Sequence, residues 1–235
     1  MKYPDDYINK VIQGDCLEVM KDIPDKSIDL VLTDPPYGID LHPPRGLTDS
    51  IANDKRDDAQ KILTQSLSQL NRILKEDSHV LIFGGWSEYW YLQEIERVFN
   101  VKSCIVWVKN NFGIGYYTRP QHEFIWYCHK GKPPVPEIAI SDVIFASRVQ
   151  KPVHSCEKPL GLVKDLITQF SDYGDTIIDP FLGSGTTAVA AKQLGRNFIG
   201  IEINPDYCKI AEQRLAQTEL FTPEPQIKEE QMELV

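Results

Sequence analysis

The sequence has no apolar run of about 18 residues, which excludes a hydrophobic helix long enough to span a membrane. Its first residues, Met-Lys-Tyr-Pro-Asp-Asp, form no apolar signal region, so we expect a cytoplasmic protein without a membrane partner. Its five cysteines are scattered, without a CxxC pair, which predicts reduced structural thiols and no zinc site. No metal is therefore expected.

The sequence also has few basic residues for its acids. The net charge of −9 disfavours a nucleic-acid partner unless the charge is segregated along the chain. Residues 219–235 hold five acids and one base, whereas residues 102–132 hold five bases and one acid. We therefore predict a single domain over 1–218, an acidic disordered tail over 219–235, and a basic surface elsewhere.

A glycine-rich turn organises the C-terminal half. Residues 176–178 are β-branched and predict a buried strand, and Gly183 and Gly185 follow in a tight turn. Residues 186–194 predict a helix, and a second strand over 198–201 ends at Glu202. This succession is typical of a nucleoside site in a doubly wound sheet, with the acid on the ribose. Because it also satisfies the dinucleotide fingerprint, a nicotinamide-dependent oxidoreductase remains open.

A second motif lies far upstream. Residues 27–33 predict a strand, and Asp34-Pro35-Pro36-Tyr37 follows at its carboxyl end, where open α/β sheets place their chemistry. The two prolines fix φ and make the turn rigid, which suits a site that must hold a reacting group in a fixed position. The alternative is a proline turn that merely ends a strand.

The pairing of DPPY at 34–37 with DPFLGSGTT at 179–187 resembles the amino-methylating (N6-adenine/N4-cytosine) DNA methyltransferases of phage and bacterial type. Within them it is similar to the permuted subgroup (beta class), in which the catalytic motif comes first. The resemblance covers about residues 8–215. It implies an α/β fold with a doubly wound, mostly parallel, Rossmann-like sheet that is circularly permuted. The implied parts are a catalytic half at 8–130, an irregular recognition stretch at 131–157 and a cofactor half at 158–218.

The resemblance implies transfer of a methyl group from S-adenosylmethionine to the exocyclic N6 of adenine in double-stranded DNA, on a flipped-out base. It also implies a place in restriction-modification, with an orphan enzyme as the alternative. Asp34 leads the motif where cytosine enzymes more often have Ser, which favours adenine. N4-cytosine methylation and a catalytically silent DNA-binding relative stay open, as do a monomer and a homodimer. The implied catalytic residues are Asp34, Pro35, Pro36 and Tyr37. The implied cofactor residues are Asp15, Cys16, Asp34, Lys158, Pro159, Asp179, Pro180, Phe181, Gly183, Ser184, Gly185, Thr186, Thr187, Glu202, Ile203 and Asn204.

Three irregular stretches are candidates for DNA contact. Residues 38–58 form a long polar loop, for which a closing lid and an inert surface loop are both open. Residues 109–119 mix base, amide, aromatic and glycine, which suits contact with a nucleic acid, although a plain hairpin loop is the alternative. The predicted nucleic-acid residues are Arg45, Lys55, Arg56, Lys109, Asn110, Tyr116, Tyr117, Arg119, Lys130, Lys132 and Arg148.

The remaining pattern completes the sheet. We predict strands over 10–13, 79–83 and 141–145, a hairpin over 101–108 and 123–127, and helices over 17–22, 59–74, 86–99, 158–170 and 204–216. Asp15 is either a helix N-cap or a neighbour of the adenine, or both. The strand at 10–13 should pair beside the one at 198–201. Because carboxyl ends of neighbouring parallel strands meet, Asp34 and Gly183 should line one cleft.

Overall fold

The chain builds one eight-stranded sheet with helices on both faces. The computed structural model of the protein describes residues 1–38, 55–86, 89–113, 117–135, 139–150 and 157–219. The strands in this part are β1 (Lys10–Gln13), β2 (Ile28–Thr33), β3 (Leu74–Gly84), β4 (Asn100–Val108), β5 (His122–Lys130), β6 (Val143–Phe145), β7 (Thr176–Asp179) and β8 (Asn197–Glu202). The helices are α1 (Cys16–Met20), α2 (Arg56–Ile73), α3 (Tyr89–Glu96), α4 (Leu160–Phe170), α5 (Thr186–Gln193) and α6 (Pro205–Glu219).

The strand order is β1-β8-β7-β2-β3-β5-β4-β6. Strand β5 runs antiparallel to its neighbours β3 and β4, and the other pairings are parallel. The first and last strands are adjacent, with Lys10 opposite Ile199, as predicted. The mostly parallel sheet and its one antiparallel strand are thus confirmed.

The core has two parts, one on each face of the sheet. Helices α1, α2 and α3 pack on one face around Met20, Leu67 and Tyr91. Helices α4, α5 and α6 pack on the other around Leu166, Ala190 and Ala211. Because both faces are covered, strands β2 and β7 are buried almost throughout, which explains their apolar sequences.

Several predicted boundaries are wrong. Helix α3 covers Tyr89–Glu96 of the predicted 86–99, and α4 begins at Leu160, with Pro159 at its N-cap, so Lys158 lies before the helix. Strand β3 starts at Leu74, five residues before the predicted start, because Leu74 pairs with Ile28 of β2. Helix α6 extends to Glu219, three residues beyond the predicted end. The N-cap prediction is confirmed, since Asp15 Oδ1 accepts a hydrogen bond from Leu17 N at 2.8 Å.

The direction of the strands determines where chemistry can lie. Strands β2, β3, β4, β6, β7 and β8 all end at one edge of the sheet, called here the carboxyl edge, and the antiparallel β5 begins there. Residues that follow the parallel strands therefore meet at this edge. Among the helices that the structure describes, none is long and apolar enough to cross a membrane.

Candidate active site

One cleft at the carboxyl edge contains both predicted motifs. The turn at 34–37 after β2 and the turn at 183–187 between β7 and α5 both line it, so the prediction that Asp34 and Gly183 share a cleft is confirmed. The predicted cofactor residues all line it except Pro159 and Gly185. Ile62, Phe83, Glu157, Val163 and Tyr207 complete part of its wall.

The carboxylate of Asp34 has a donor on each oxygen. Tyr37 donates its hydroxyl hydrogen to Asp34 Oδ1 at 2.7 Å, and the Lys158 ammonium donates to Asp34 Oδ2. The Asp34 side chain is 21% exposed, whereas that of Lys158 is only 8% exposed. Lys158 Nζ also lies 5.5 Å from the ring centre of Tyr37 and 5.1 Å from that of Phe83. The turn at 34–37 and the segment before α4 are therefore in direct contact.

Charges alternate in a row that ends at Asp34. Lys109 pairs with Glu123 Oε1, and Glu123 Oε2 lies 3.5 Å from Lys158 Nζ, which in turn pairs with Asp34. Burial opposes a charge on Glu123, but the two lysine ammonium groups outweigh it and hold the pKa of Glu123 below its usual range. Glu123 is therefore an anion at neutral pH, and it lies one ammonium group away from Asp34 of the turn at 34–37.

Tyr91 of α3 hydrogen-bonds the backbone of the turn at 34–37. The side chain of Tyr91 is fully buried, and its hydroxyl donates to the carbonyl oxygens of Pro36 and, at 3.2 Å, Pro35. The rings of Tyr37 and Tyr91 meet edge to face, with centres 6.3 Å apart. Because prolines have no N–H to anchor a turn, this side-chain donor fixes a segment that the backbone alone holds weakly.

Glu202 closes the far end of the cleft. Its Oε2 accepts a hydrogen bond from Gly183 N and its Oε1 accepts one from Asn204 N, both at 2.8 Å. The residue is 9% exposed. Burial raises the pKa of Glu202, and the backbone donors Asn204 and Gly183 oppose that rise. The Ile203 backbone N–H also favours the charged carboxylate, and of its roughly four lone-pair sites at least one is left for a ligand hydroxyl.

The glycine turn is shaped by packing as well as by access. Gly183 and Gly185 have φ of 55° and 88°, a region that favours glycine. A Cβ on Gly185 would lie 2.7 Å from Ala211 Cβ, so Gly185 lets α6 approach the start of α5. Arg214 of α6 donates to Ser184 O at 2.8 Å and pairs with Glu157 at 2.9 Å. Gly185 thus serves the packing of the turn and does not line the cleft.

The carboxylate of Asp179 is hydrogen-bonded to groups of the protein itself. It accepts from Thr33 Oγ1 at 2.9 Å, Thr187 Oγ1 at 2.7 Å and Phe181 N at 3.1 Å, and the residue is 4% exposed. Burial raises the pKa of Asp179 to about 7 despite these three donors. Asp179 therefore joins β2, β7 and α5, which carry the two motifs.

The predicted nucleic-acid residues do not form one group. Lys55, Arg56, Asn110, Tyr117, Arg119 and Arg148 lie in segments at the carboxyl edge, and Arg148 N donates to Asn110 Oδ1 at 3.1 Å. Lys109 is there too but is committed to Glu123. Lys130 and Lys132 lie at the opposite edge, where Lys130 donates to the carbonyls of Asn71 and Leu74. This placement argues against DNA contact by Lys130 and Lys132. Arg45 and Tyr116 lie outside the described residues, as do most of the predicted lid at 38–58 and residues 220–235 of the predicted tail.

Sequence reasoning assigned no role to Tyr91, Glu123 or Arg214. Each acts through a contact more than 25 residues away along the chain, which leaves no local periodicity or motif to detect. For Glu123 alone the sequence has one signal: it is the single acidic residue among five basic residues over 102–132. No group of three or more His, Cys, Asp or Glu side chains that could hold a metal occurs among the residues that the structure describes.

Comparison with known proteins identifies relatives of this chain. The profile of the N6/N4 methylase family, described as DNA methylase, matches residues 28–213. The chain is 34% identical over 211 residues to "Putative methylase YubD" of Escherichia coli (strain K12), covering 89% of this chain and 91% of that protein. It is 28% identical over 261 residues to the type II methyltransferase M.HinfI of Haemophilus influenzae, covering 90% and 69%.

Solved structures agree with these relatives. The M1.HpyAVI–SAM complex superposes with a TM-score of 0.69 at 28% identity, covering 88% of this chain and 98% of that one. The cytosine-N4-specific PvuII DNA methyltransferase superposes with a TM-score of 0.72 at 18% identity, which shows a shared fold. The profile match spans both motifs and the strands between them. The chain therefore belongs to the N6/N4 family of amino-methylating DNA methyltransferases.

Proposed function

We propose that this protein transfers a methyl group from S-adenosylmethionine to the exocyclic N6 of adenine in double-stranded DNA. The observation that carries the proposal is the shared cleft, which Asp34 lines together with the glycine turn and Glu202. The family membership supports the same chemistry and disfavours the nicotinamide-dependent alternative.

The residues present fit S-adenosylmethionine. Glu202 offers buried carboxylate oxygens to ribose hydroxyls, and Asp15 and Cys16 line the same end of the cleft. Burial raises the pKa of Cys16 to about 12, so it faces the site as a neutral thiol. The bound cofactor supplies a methyl group on a sulfonium, which takes the bonding electrons when the methyl leaves. Lys158 lies in the segment before α4 and lines the same cleft.

The turn at 34–37 would receive the target amino group. Asp34 and the Pro35 carbonyl are the two acceptors for its hydrogens, and accepting both builds nucleophilic character on nitrogen. The nitrogen lone pair forms the new bond to carbon, and the amino group then loses one proton, for which Asp34 is the nearest placed base. Tyr37 offers its ring to a base turned out of the helix, since that chemistry cannot reach a stacked base.

Adenine is preferred over cytosine because Asp leads the motif at 34–37. A serine there would offer one neutral acceptor, whereas Asp34 offers a charged one. A cytosine-N4-specific enzyme has the same fold, so the fold does not distinguish the two bases. Identification of the methylated nucleoside does.

The test is to incubate the protein with labelled S-adenosylmethionine and unmethylated genomic DNA, digest the DNA and identify the methylated nucleoside. We expect N6-methyladenine; N4-methylcytosine would keep the mechanism and correct the base. Asp34→Ala should abolish transfer and leave cofactor binding largely intact, because Asp34 contacts the acceptor side of the cleft. Cofactor binding without any label in DNA would overturn the proposal.

A further inference from the structure

The ammonium group of Lys158 lies between two carboxylates. It donates to Asp34 Oδ2 on one side, and Glu123 Oε2 lies 3.5 Å away on the other. All three side chains are mostly buried, at 8% exposed for Lys158, 21% for Asp34 and 20% for Glu123. Buried charges in such contact respond strongly to small displacements, because water screens them little.

Each oxygen of Asp34 already has a donor in this arrangement. A carboxylate oxygen has a second lone pair, so a target amino group can still bind, but the donors from Tyr37 and Lys158 weaken Asp34 as its acceptor. An ammonium on the same carboxylate also opposes the positive charge that develops on the nitrogen during transfer, because like charges repel at this distance. Methyl transfer should therefore be faster when the Lys158 ammonium leaves Asp34 or loosens its hold.

Glu123 is placed to receive it. Lys109 holds Glu123 Oε1, which fixes the carboxylate so that Oε2 faces Lys158. Within the part of the chain that the structure describes, Oε2 is buried and accepts no hydrogen bond. A movement of roughly 0.7 Å would shorten the 3.5 Å separation to a charge-assisted hydrogen bond.

We propose that Glu123 is a positioning residue for methyl transfer, which takes up the Lys158 ammonium when the target amino group binds Asp34. Lys158 thus keeps a carboxylate partner throughout, and Asp34 becomes a stronger acceptor when the substrate binds it. The inference rests on the proposed role of Asp34 as acceptor of the amino hydrogens. It gives β5, the antiparallel strand, a part in the reaction.

The test compares single-turnover methyl transfer to genomic DNA, at saturating S-adenosylmethionine, for Glu123→Gln, Lys158→Met and the double variant. Glu123→Gln removes the receiving charge, so we expect transfer about tenfold slower, the effect of one charged hydrogen bond, with the cofactor Kd within about twofold of wild type. In the Lys158→Met background Glu123→Gln should have no further effect, because the group that it receives is gone. Glu94→Gln is the matched control, a buried glutamate of α3 held by Gln60, Thr64 and Arg97 away from the cleft.

Three results would overturn the inference. Glu123→Gln could transfer at the wild-type rate, or it could slow transfer by the same factor with and without Lys158. Lys158→Met could also bind the cofactor normally yet fail to transfer, since removing a competitor for Asp34 cannot abolish the step that it hinders. If Lys158→Met does not fold, the rate of Glu123→Gln against Glu94→Gln decides. A wild-type protein that methylates no DNA would instead refute the proposed function.

Discussion

At the scale of single residues, Tyr91 shows how a remote side chain can support a catalytic turn. We expect Tyr91→Phe to slow methyl transfer about tenfold with unchanged cofactor affinity, because the Pro35 and Pro36 carbonyls lose their donor and the turn loosens. The unfolding free energy should fall by about 1–2 kcal/mol. Steady-state kinetics and urea unfolding measure both.

Tyr7→Phe is the control for Tyr91→Phe. Tyr7 is equally buried, and its hydroxyl donates to Asp22 at 3.2 Å, outside the cleft. It should lose stability by a similar amount and keep its rate. Equal kinetic losses in the two variants would show that Tyr91 acts through stability alone.

Asp179 makes a prediction about pH. Burial raises its folded-state pKa to about 7, whereas an unfolded Asp titrates near its ordinary value of 3.8. Between pH 3.8 and pH 7 the folded protein therefore keeps a proton on Asp179 that the unfolded chain has lost. The stabilisation from this proton is fully present below about pH 4 and is lost as the pH rises through 7. The difference corresponds to about 4 kcal/mol at most.

Asp179→Asn removes this titration, and the threonine hydroxyls can reorient to accept from its amide. The wild type should lose stability between pH 5 and pH 8, and Asp179→Asn should not, because Asn does not titrate. The unfolding free energy of the variant minus that of the wild type should therefore become more positive over this range. Urea titrations at several pH values measure it. A difference that stays constant with pH would mean that Asp179 titrates as an ordinary carboxyl.

At the scale of elements, the junction of α5 and α6 depends on Gly185. Gly185→Ala adds a methyl group 2.7 Å from Ala211 Cβ and forces alanine to a φ of 88°. We expect a loss of about 2–4 kcal/mol in unfolding free energy from strain and overpacking together. Cofactor affinity should also fall, because α5 begins at the turn that lines the cleft.

Gly174→Ala separates the two causes. Gly174 has a similar φ of 85°, but a Cβ there meets nothing within 4 Å, so only the strain of about 1 kcal/mol remains. Thermal and urea unfolding of both variants give the comparison. Equal losses would contradict the steric part of the argument.

The elements that sequence could predict are those with a local signal. β7, the glycine turn, α5 and β8 have β-branched runs, punctuating glycines and helical spacing, and all were placed correctly within a residue or two. The start of β3 has no local signal, because Lys75-Glu76-Asp77 is polar and belongs to the strand only through its neighbours: Leu74 pairs with Ile28 of β2, and His79 pairs with Leu30. Similarly, Glu123 and Lys158 are 35 positions apart, and only the sheet order brings them together.

The whole molecule reconciles an acidic chain with a DNA substrate through the direction of its strands. Basic residues that look alike in sequence fall on opposite edges of the sheet, since β4 ends at the carboxyl edge and β5 ends at the other. Arg56, Arg119 and Arg148 therefore stand at the carboxyl edge, where the cleft also lies, and Lys132 does not. The net charge of −9 is an average over these surfaces and says little about either.

This arrangement predicts which charges DNA senses. Arg56→Ala and Arg148→Ala should each weaken binding to duplex DNA and reduce the slope of log affinity against log salt by about 1, the value for one lost phosphate contact. Lys132→Ala, at the opposite edge, should leave both unchanged. Fluorescence anisotropy at several salt concentrations measures the three variants against the wild type. An equal loss for Lys132→Ala would mean that the DNA reaches around the sheet or that only net charge matters, and either would contradict a binding surface confined to the edge where the parallel strands end.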